Sequence, residues 1–144
     1  MESLIYNSAW SYFFSRNIAT RPNAINCMLV ESGYSPNKKS HSRRSHVGNE
    51  VRGNGYTAGG LPVSASVEIT QATDTIYLIL GDALWPKSTI TATGAVYYTS
   101  RGGAATDDDL IAFIAFKEKM SSINGDLLLS GVRLWVDNSH NFIG

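Results

Sequence analysis

Apolar and polar positions follow three rhythms along this chain. In residues 3–16, SLIYNSAWSYFFSR, Ile5, Ala9, Tyr12 and Phe13 fall at i, i+4, i+7 and i+8, one face of a helix. Tyr6, Trp10 and Phe14 form a second apolar stripe beside it. A helix apolar on two sides must be covered on two sides, by its own sheet or by a neighbouring subunit, so Trp10 and Phe14 are candidate contact residues. Pro22 closes this unit. Residues 24–30, AINCMLV, are apolar but for Asn26 and predict a buried strand. From residue 63 the period becomes two: Val63, Ala65, Val67 and Ile69 alternate with polar residues, as in a half-buried strand.

Between these strands both rhythms stop. Residues 34–60 read YSPNKKSHSRRSHVGNEVRGNGYTAGG, with five glycines, five of the 12 Lys and Arg, two of the three histidines and one acid, Glu50. A polar insert of this length on a compact domain is more often functional than not. Pro36 forces Ser35 out of the helical region, which predicts a turn at 33–36. Ser40 is placed to cap a short helix over 41–47, with Gly48 as its stop. Gly53, Gly55, Gly59 and Gly60 permit positive φ or close backbone approach.

Beyond residue 70, Asp74 marks a turn, and 76–80, IYLIL, is a strand apolar on both faces. Gly81-Asp82 and Trp85-Pro86 bracket a loop. Residues 89–99 are a strand pair or one long strand bent at Gly94. Residues 110–116, LIAFIAF, have aspartates before and Lys117 and Lys119 after, which suits a helix, but their β-branched and aromatic content predicts a strand. Asn124-Gly125 is a hairpin signal, followed by strands at 127–129 and 132–136. Short strands with turns every 8 to 15 residues predict a mainly β chain: one antiparallel sandwich or barrel-like domain. It would carry an N-terminal amphipathic helix (1–23), a β domain (24–136) with the insert (34–60) and its short helix, and a surface tail (137–144).

Composition changes this picture little. At 144 residues the chain suits one domain able to fold without staples. Its single Cys27 sits in an apolar strand as inert core and implies synthesis in a reducing compartment. Charge is balanced, and charged residues are only 17% against a usual share of about a quarter, which hints at surface covered by other subunits. No run reaches the roughly 18–20 apolar residues of a membrane span. Glu2 stands where a signal peptide would be basic.

Candidate chemistry is sparse. His41 and His46 are five apart, on different sides of a helix, and Cys27 has no second cysteine, so a zinc site is not expected. Asp107-Asp108-Asp109 lack calcium-loop spacing and read as a solvated loop or helix start. The glycine-rich GNGYTAGG lacks the Gly-Lys-Ser/Thr ending of a phosphate loop, and no G-x-S-x-G elbow is present. No enzyme and no cofactor are expected. Lys38, Lys39, Arg43, Arg44 and Arg52 are the one basic concentration. The neutral balance and the lack of interleaved aromatics argue against nucleic acid, leaving a solvated loop or contact with an acidic patch on a protein.

The segment Ser40-His41-x-x-Arg44-x-x-Val47-x-Asn49-Glu50-Val51-x-Gly53-x-Gly55-Tyr56-Thr57-Ala58-Gly59-Gly60 resembles the signature of a family of tailed-bacteriophage virion structural proteins. Residues 4–8, 25–30, Tyr34-Ser35-Pro36, Trp85, Ala95-Val96-Tyr97, Leu110-Ile111-Ala112 and Asn124-Gly125 follow in that family's order. Where the family often carries aspartates around His41, this chain carries Asn37, Lys38, Lys39, Ser42, Ser45 and His46. The resemblance implies a non-enzymatic virion component, made in the bacterial cytoplasm. First in line is a capsid decoration, or cement, protein that binds the major capsid protein and copies of itself, expected as a trimer. A receptor- or sugar-binding module on a tail or fibre, using Trp85, Trp135 and tyrosines, is the alternative. In either, Tyr34 and Tyr56 are amphipathic anchors, Gly59 and Gly60 let backbone lie close to a neighbour, and Lys38, Lys39, His41, Arg43, Arg44, Asn49 and Glu50 complete the expected contact surface.

Overall fold

The computed structural model describes residues 3–9, 25–100, 103–136 and 141–143. Among these residues nine strands form two antiparallel sheets: β1 (Leu4–Ile5), β2 (Ile25–Val30), β3 (Leu61–Val63), β4 (Ala65–Thr70), β5 (Thr75–Leu80), β6 (Ala83–Thr99), β7 (Asp109–Leu129), β8 (Val132–Val136) and β9 (Asn141–Ile143). The first sheet has the order β1-β7-β6-β2-β3 and the second β4-β5-β8-β9. Among the described residues the only helical elements are three-residue 3-10 turns, and no helix is long and apolar enough to cross a membrane.

One two-stranded ribbon runs through both sheets. Leu80 pairs with Val132 at the end of the second sheet, and Ala83 pairs with Leu129 at the start of the first. β5–β6 and β7–β8 are therefore two continuous partners that turn together at 81–82 and 130–131. The path from β3 to β4 makes the same passage at Ser64, whose carbonyl accepts the Gly81 N–H at 2.7 Å. Cys27, Tyr97 and Ile111 from the first sheet meet Leu78, Leu80 and Leu134 from the second in one apolar cluster. Burial there pushes the Cys27 thiol up to about 12, which keeps it protonated and inert.

The first sheet has a second core on its other face. Met28, Val30, Val96, Tyr98, Leu110 and Phe113 pack there with Tyr6 and Tyr34. This explains a change of burial within single strands. From Ala83 to Ala92, β6 alternates between buried and exposed positions, whereas 94–99 are buried throughout; β7 is buried at 110–113 and exposed at 117–119. Both strands are apolar on two faces only where the insert covers them.

Several sequence expectations are corrected. Residues 3–9 form β1 and a 3-10 turn, Asn7–Ala9, rather than the start of a helix; the remainder of that prediction, with Trp10 and Phe14, lies outside the described residues. The short helix at 41–47 is a single 3-10 turn, Arg44–His46, preceded by Arg43 rather than capped by Ser40. The run 63–70 is divided between two sheets, and β4 reaches past the core, leaving Val67 40% and Ile69 53% exposed. Trp85-Pro86 lies within β6 and Asn124-Gly125 within β7. There Lys87 (φ 48°) and Asn124 (φ 46°) take left-handed conformations where the β6–β7 register shifts, so the hairpin signal marks bulges in a long ribbon. Residues 141–143, expected in a surface tail, pair with β8. The strand at 110–116 is as expected, and of the two readings of 89–99 the structure has the single long strand through Gly94.

Candidate functional site

The insert is held against the first sheet at three places. At residues 49–51, Glu31 N–H donates to Asn49 O (2.8 Å) and Val51 N–H to Leu29 O (3.0 Å), continuing the edge of β2. In the middle, Arg44 N–H donates to Asp108 O (2.8 Å), Leu110 N–H to Ser42 O (3.0 Å) and Asn7 N–H to Lys38 O (2.9 Å). At its end, Thr89 N–H donates to Asn54 O (2.9 Å). Buried backbone groups need partners, and these bonds supply them in a segment with almost no regular structure.

The charges of the insert are answered 64–66 residues away. Arg44 Nε lies 2.8 Å from Asp108 Oδ2, and Asp108 is 1% exposed. The same guanidinium stands 5.2 Å from the Tyr98 ring centroid, a cation–π contact. Arg43 pairs with Asp109. The basic run, expected as a solvated loop or a contact for an acidic partner, and the aspartate run, expected as a solvated loop or helix start, are thus two halves of one clamp. Lys38 and Lys39 remain exposed.

A second node fixes residues 49–60. Glu50 Oε2 accepts the Tyr56 hydroxyl and the Gly59 N–H, each at 2.6 Å. The Tyr56 oxygen accepts Leu29 N–H at 3.0 Å, and Tyr98 O–H donates to Gly59 O at 2.5 Å. Burial first, then the hydrogen bond to Glu50, raises the Tyr56 pKa, so its hydroxyl stays a donor. Gly60 has φ +76°, and a Cβ there would stand 1.8 Å from Cys27 O; a Cβ at Gly53 would stand 2.5 Å from Thr89 O. The close approach that these glycines allow is made to the chain's own strands, where the sequence suggested a neighbouring subunit.

The histidines accept from backbone. Tyr6 and Tyr34 hydroxyls are 2.7 Å apart, and Tyr34 OH lies 3.1 Å from His41 Nδ1, which also accepts Asn37 N–H at 3.2 Å. His46 Nδ1 accepts Ser42 N–H (3.0 Å) and Arg43 N–H (3.2 Å), and the two imidazoles stack with centroids 5.9 Å apart. Each Nδ1 must be unprotonated, which places any ring proton on Nε2. Burial, then the neighbouring His46, lowers the His41 pKa. A folded value below the unfolded one, about 6.5, means that the unfolded chain takes up protons first on acidification. The stabilisation is full above that value and is lost as pH falls through the lowered folded value. The Asn37 amide is accordingly expected to lose hydrogen-exchange protection between pH 7 and pH 5, beyond the intrinsic rate change.

What the insert offers outward is an open groove of about 590 Å³, lined by Glu31, Asn49, Glu50, Arg52 and Tyr56 over a floor of Val51. Exposed Glu31 and Arg52 give it charge of both signs. Of the expected contact residues, Tyr34 is 4% exposed and belongs to the second core, while Gly59 is buried. Glu50, Tyr56, Arg43 and Arg44 are engaged within the chain. Asn49 lines the groove, His41 sits at the hydroxyl chain, and Lys38 and Lys39 face solvent. Sequence reasoning missed Tyr6, Tyr98, Asp108 and Asp109 as the anchors. The opposite charges of the RR and DDD runs were the signal that could have found the last two. A comparison with known proteins finds no family model, no curated protein and no solved structure that matches this chain.

Proposed function

We propose that the chain is a structural protein of a tailed-bacteriophage virion, a decoration protein that binds and stabilises the assembled head. Its partners are the major capsid protein and copies of itself, it catalyses nothing, and it needs no cofactor. Two observations support this reading: the likeness of residues 40–60 to the virion family, and above all the pinning of the whole insert onto its own sheet. A segment so held loses little conformational entropy on binding, which is what a repeated, shape-dependent contact requires. Two sheets around one core suit a sandwich-type domain that displays such a surface. A protein that binds only the assembled shell stabilises it by mass action, and repetition over a lattice multiplies a modest contact.

Within the basic cluster, Lys38, Lys39 and Arg52 are exposed, whereas Arg43 and Arg44 are held by Asp109 and Asp108. Replacing Lys38 and Lys39 by glutamate is expected to weaken attachment to heads about tenfold at low salt and less at high salt, with folding unchanged. Cosedimentation with heads at two ionic strengths measures this. Unchanged attachment would return both lysines to a solvated role.

The tail or fibre reading keeps one supporting observation. Trp85 is 3% exposed and cannot stack on a sugar, but Tyr77 and Trp135 pair on the outward face of β5 and β8 with ring centroids 6.2 Å apart. A fibre module would be present in few copies, and its soluble form would compete for host attachment. A decoration protein would follow the copy number of the capsid lattice.

A further inference from the structure

The four sheet edges differ in how they are guarded. β1 has two residues, β9 has three, and β3 has three with Pro62 at its centre. β4 has six residues, Ala-Ser-Val-Glu-Ile-Thr, paired with β5 at every position without a register shift. It carries no Lys, Arg, Pro, Gly or bulge, the devices that keep natural edges from pairing. Among the described residues nothing pairs with its outer edge. Val67 and Ile69, on the face that carries Leu78 and Leu134, extend that apolar surface past the core at 40% and 53% exposure.

The sequence of β4 specifies what fits that edge. In antiparallel pairing, opposite residues share a face. Pairing β4 with its own copy centred on Glu68 would oppose two carboxylates, which is destabilising. Centring between Val67 and Glu68 would set Val67 against Glu68 and Ile69 against Ser66, mixing apolar with polar positions. Centring on Val67 sets Val67 against Val67, Ala65 against Ile69 and Ser66 against Glu68. That register keeps one face apolar and the carboxylates apart.

We propose that β4 is a self-association edge, through which two copies of this chain pair antiparallel about a two-fold axis at Val67 and join their second sheets into one. The product is a dimer, where the family resemblance implies a trimer. The proposal takes up the self-association in the reading above but not the shell, and it is tested on the purified chain without capsid.

Two six-residue strands bury less than the roughly 1,200 Å² of a stable complex, so a dissociation constant on the order of 100 μM is expected. Sedimentation equilibrium from micromolar to millimolar should show monomer and dimer. Val67→Lys places two ammonium groups at the axis and should weaken association at least thirtyfold, while the melting temperature at micromolar concentration stays that of the parent. Ser66→Lys sets an ammonium across from Glu68 of the other copy and should tighten association roughly three- to tenfold. A parent chain that is monomeric at millimolar concentration, or a Val67→Lys variant that associates like the parent, would overturn the proposal. A Ser66→Lys variant no tighter than the parent would overturn the register. Loss of head binding alone would count against the decoration reading and leave the dimer standing.

Discussion

Gly60→Val is expected to lower stability by about 3–5 kcal/mol, the largest effect of any single substitution in the insert. Two causes act together. The backbone sits at φ +76°, which a β-branched residue avoids, and the new Cβ would stand 1.8 Å from the Cys27 carbonyl oxygen. The obstacle is main chain in the middle of β2, so no side-chain rotation relieves it. At this chain length the loss corresponds to a fall in melting temperature on the order of 10 °C. Gly48→Ala is the control: a Cβ there meets nothing within 4 Å, and stability should change by less than about 0.5 kcal/mol. Thermal unfolding of both variants decides whether the glycine-rich run shapes the chain itself. A Gly60→Val protein as stable as the parent would show that the insert can lift off β2 at no cost.

Arg44→Met is the second large effect. It keeps most of the side-chain volume but removes the guanidinium that stands 2.8 Å from the Asp108 carboxylate, which is 1% exposed. Removing one member of a fully buried pair costs about 3–5 kcal/mol. Arg44 keeps 22% of its side-chain surface exposed, so water and salt offset part of the loss, and about 2–3 kcal/mol is expected. The double variant Arg44→Met with Asp108→Leu should recover much of this, because no buried charge then remains. Urea denaturation of the parent, both single variants and the double variant gives the coupling directly. A coupling below about 0.5 kcal/mol would mean that hydrogen bonds and the second core, not charge, hold the insert.

Where burial was local, sequence and structure agree. Largely apolar runs at 25–30 and 110–113 became strands covered on both faces, and alternation at 63–70 became strand. Residues distant in sequence produced the differences. Val63 and Ala65 look like neighbours in one strand, yet they pair with Ile25 and Leu80 in different sheets, a division that depends on the bend of the adjacent ribbon. Asn124-Gly125 carries turn chemistry, but its left-handed residue serves equally well in a bulge opposite Thr89. In the insert, periodicity had nothing to read. Tyr34, expected as an amphipathic interface anchor, fills the space over Phe113, with ring centroids 5.8 Å apart. Gly53 and Gly60 do allow close backbone approach, and the strands they approach are the chain's own. The lysines at 38 and 39, and the groove beside Asn49, remain where a partner can reach them.

The central claim is that a pre-shaped insert recognises an assembled head. Titrating purified chain against assembled heads and against unassembled capsid protein, with bound protein counted by cosedimentation, tests it most directly. The account predicts saturation at a number set by the capsid lattice, heads that resist heating better when decorated, and no binding to free subunits. No binding to heads, or equal binding to heads and free subunits, would contradict it.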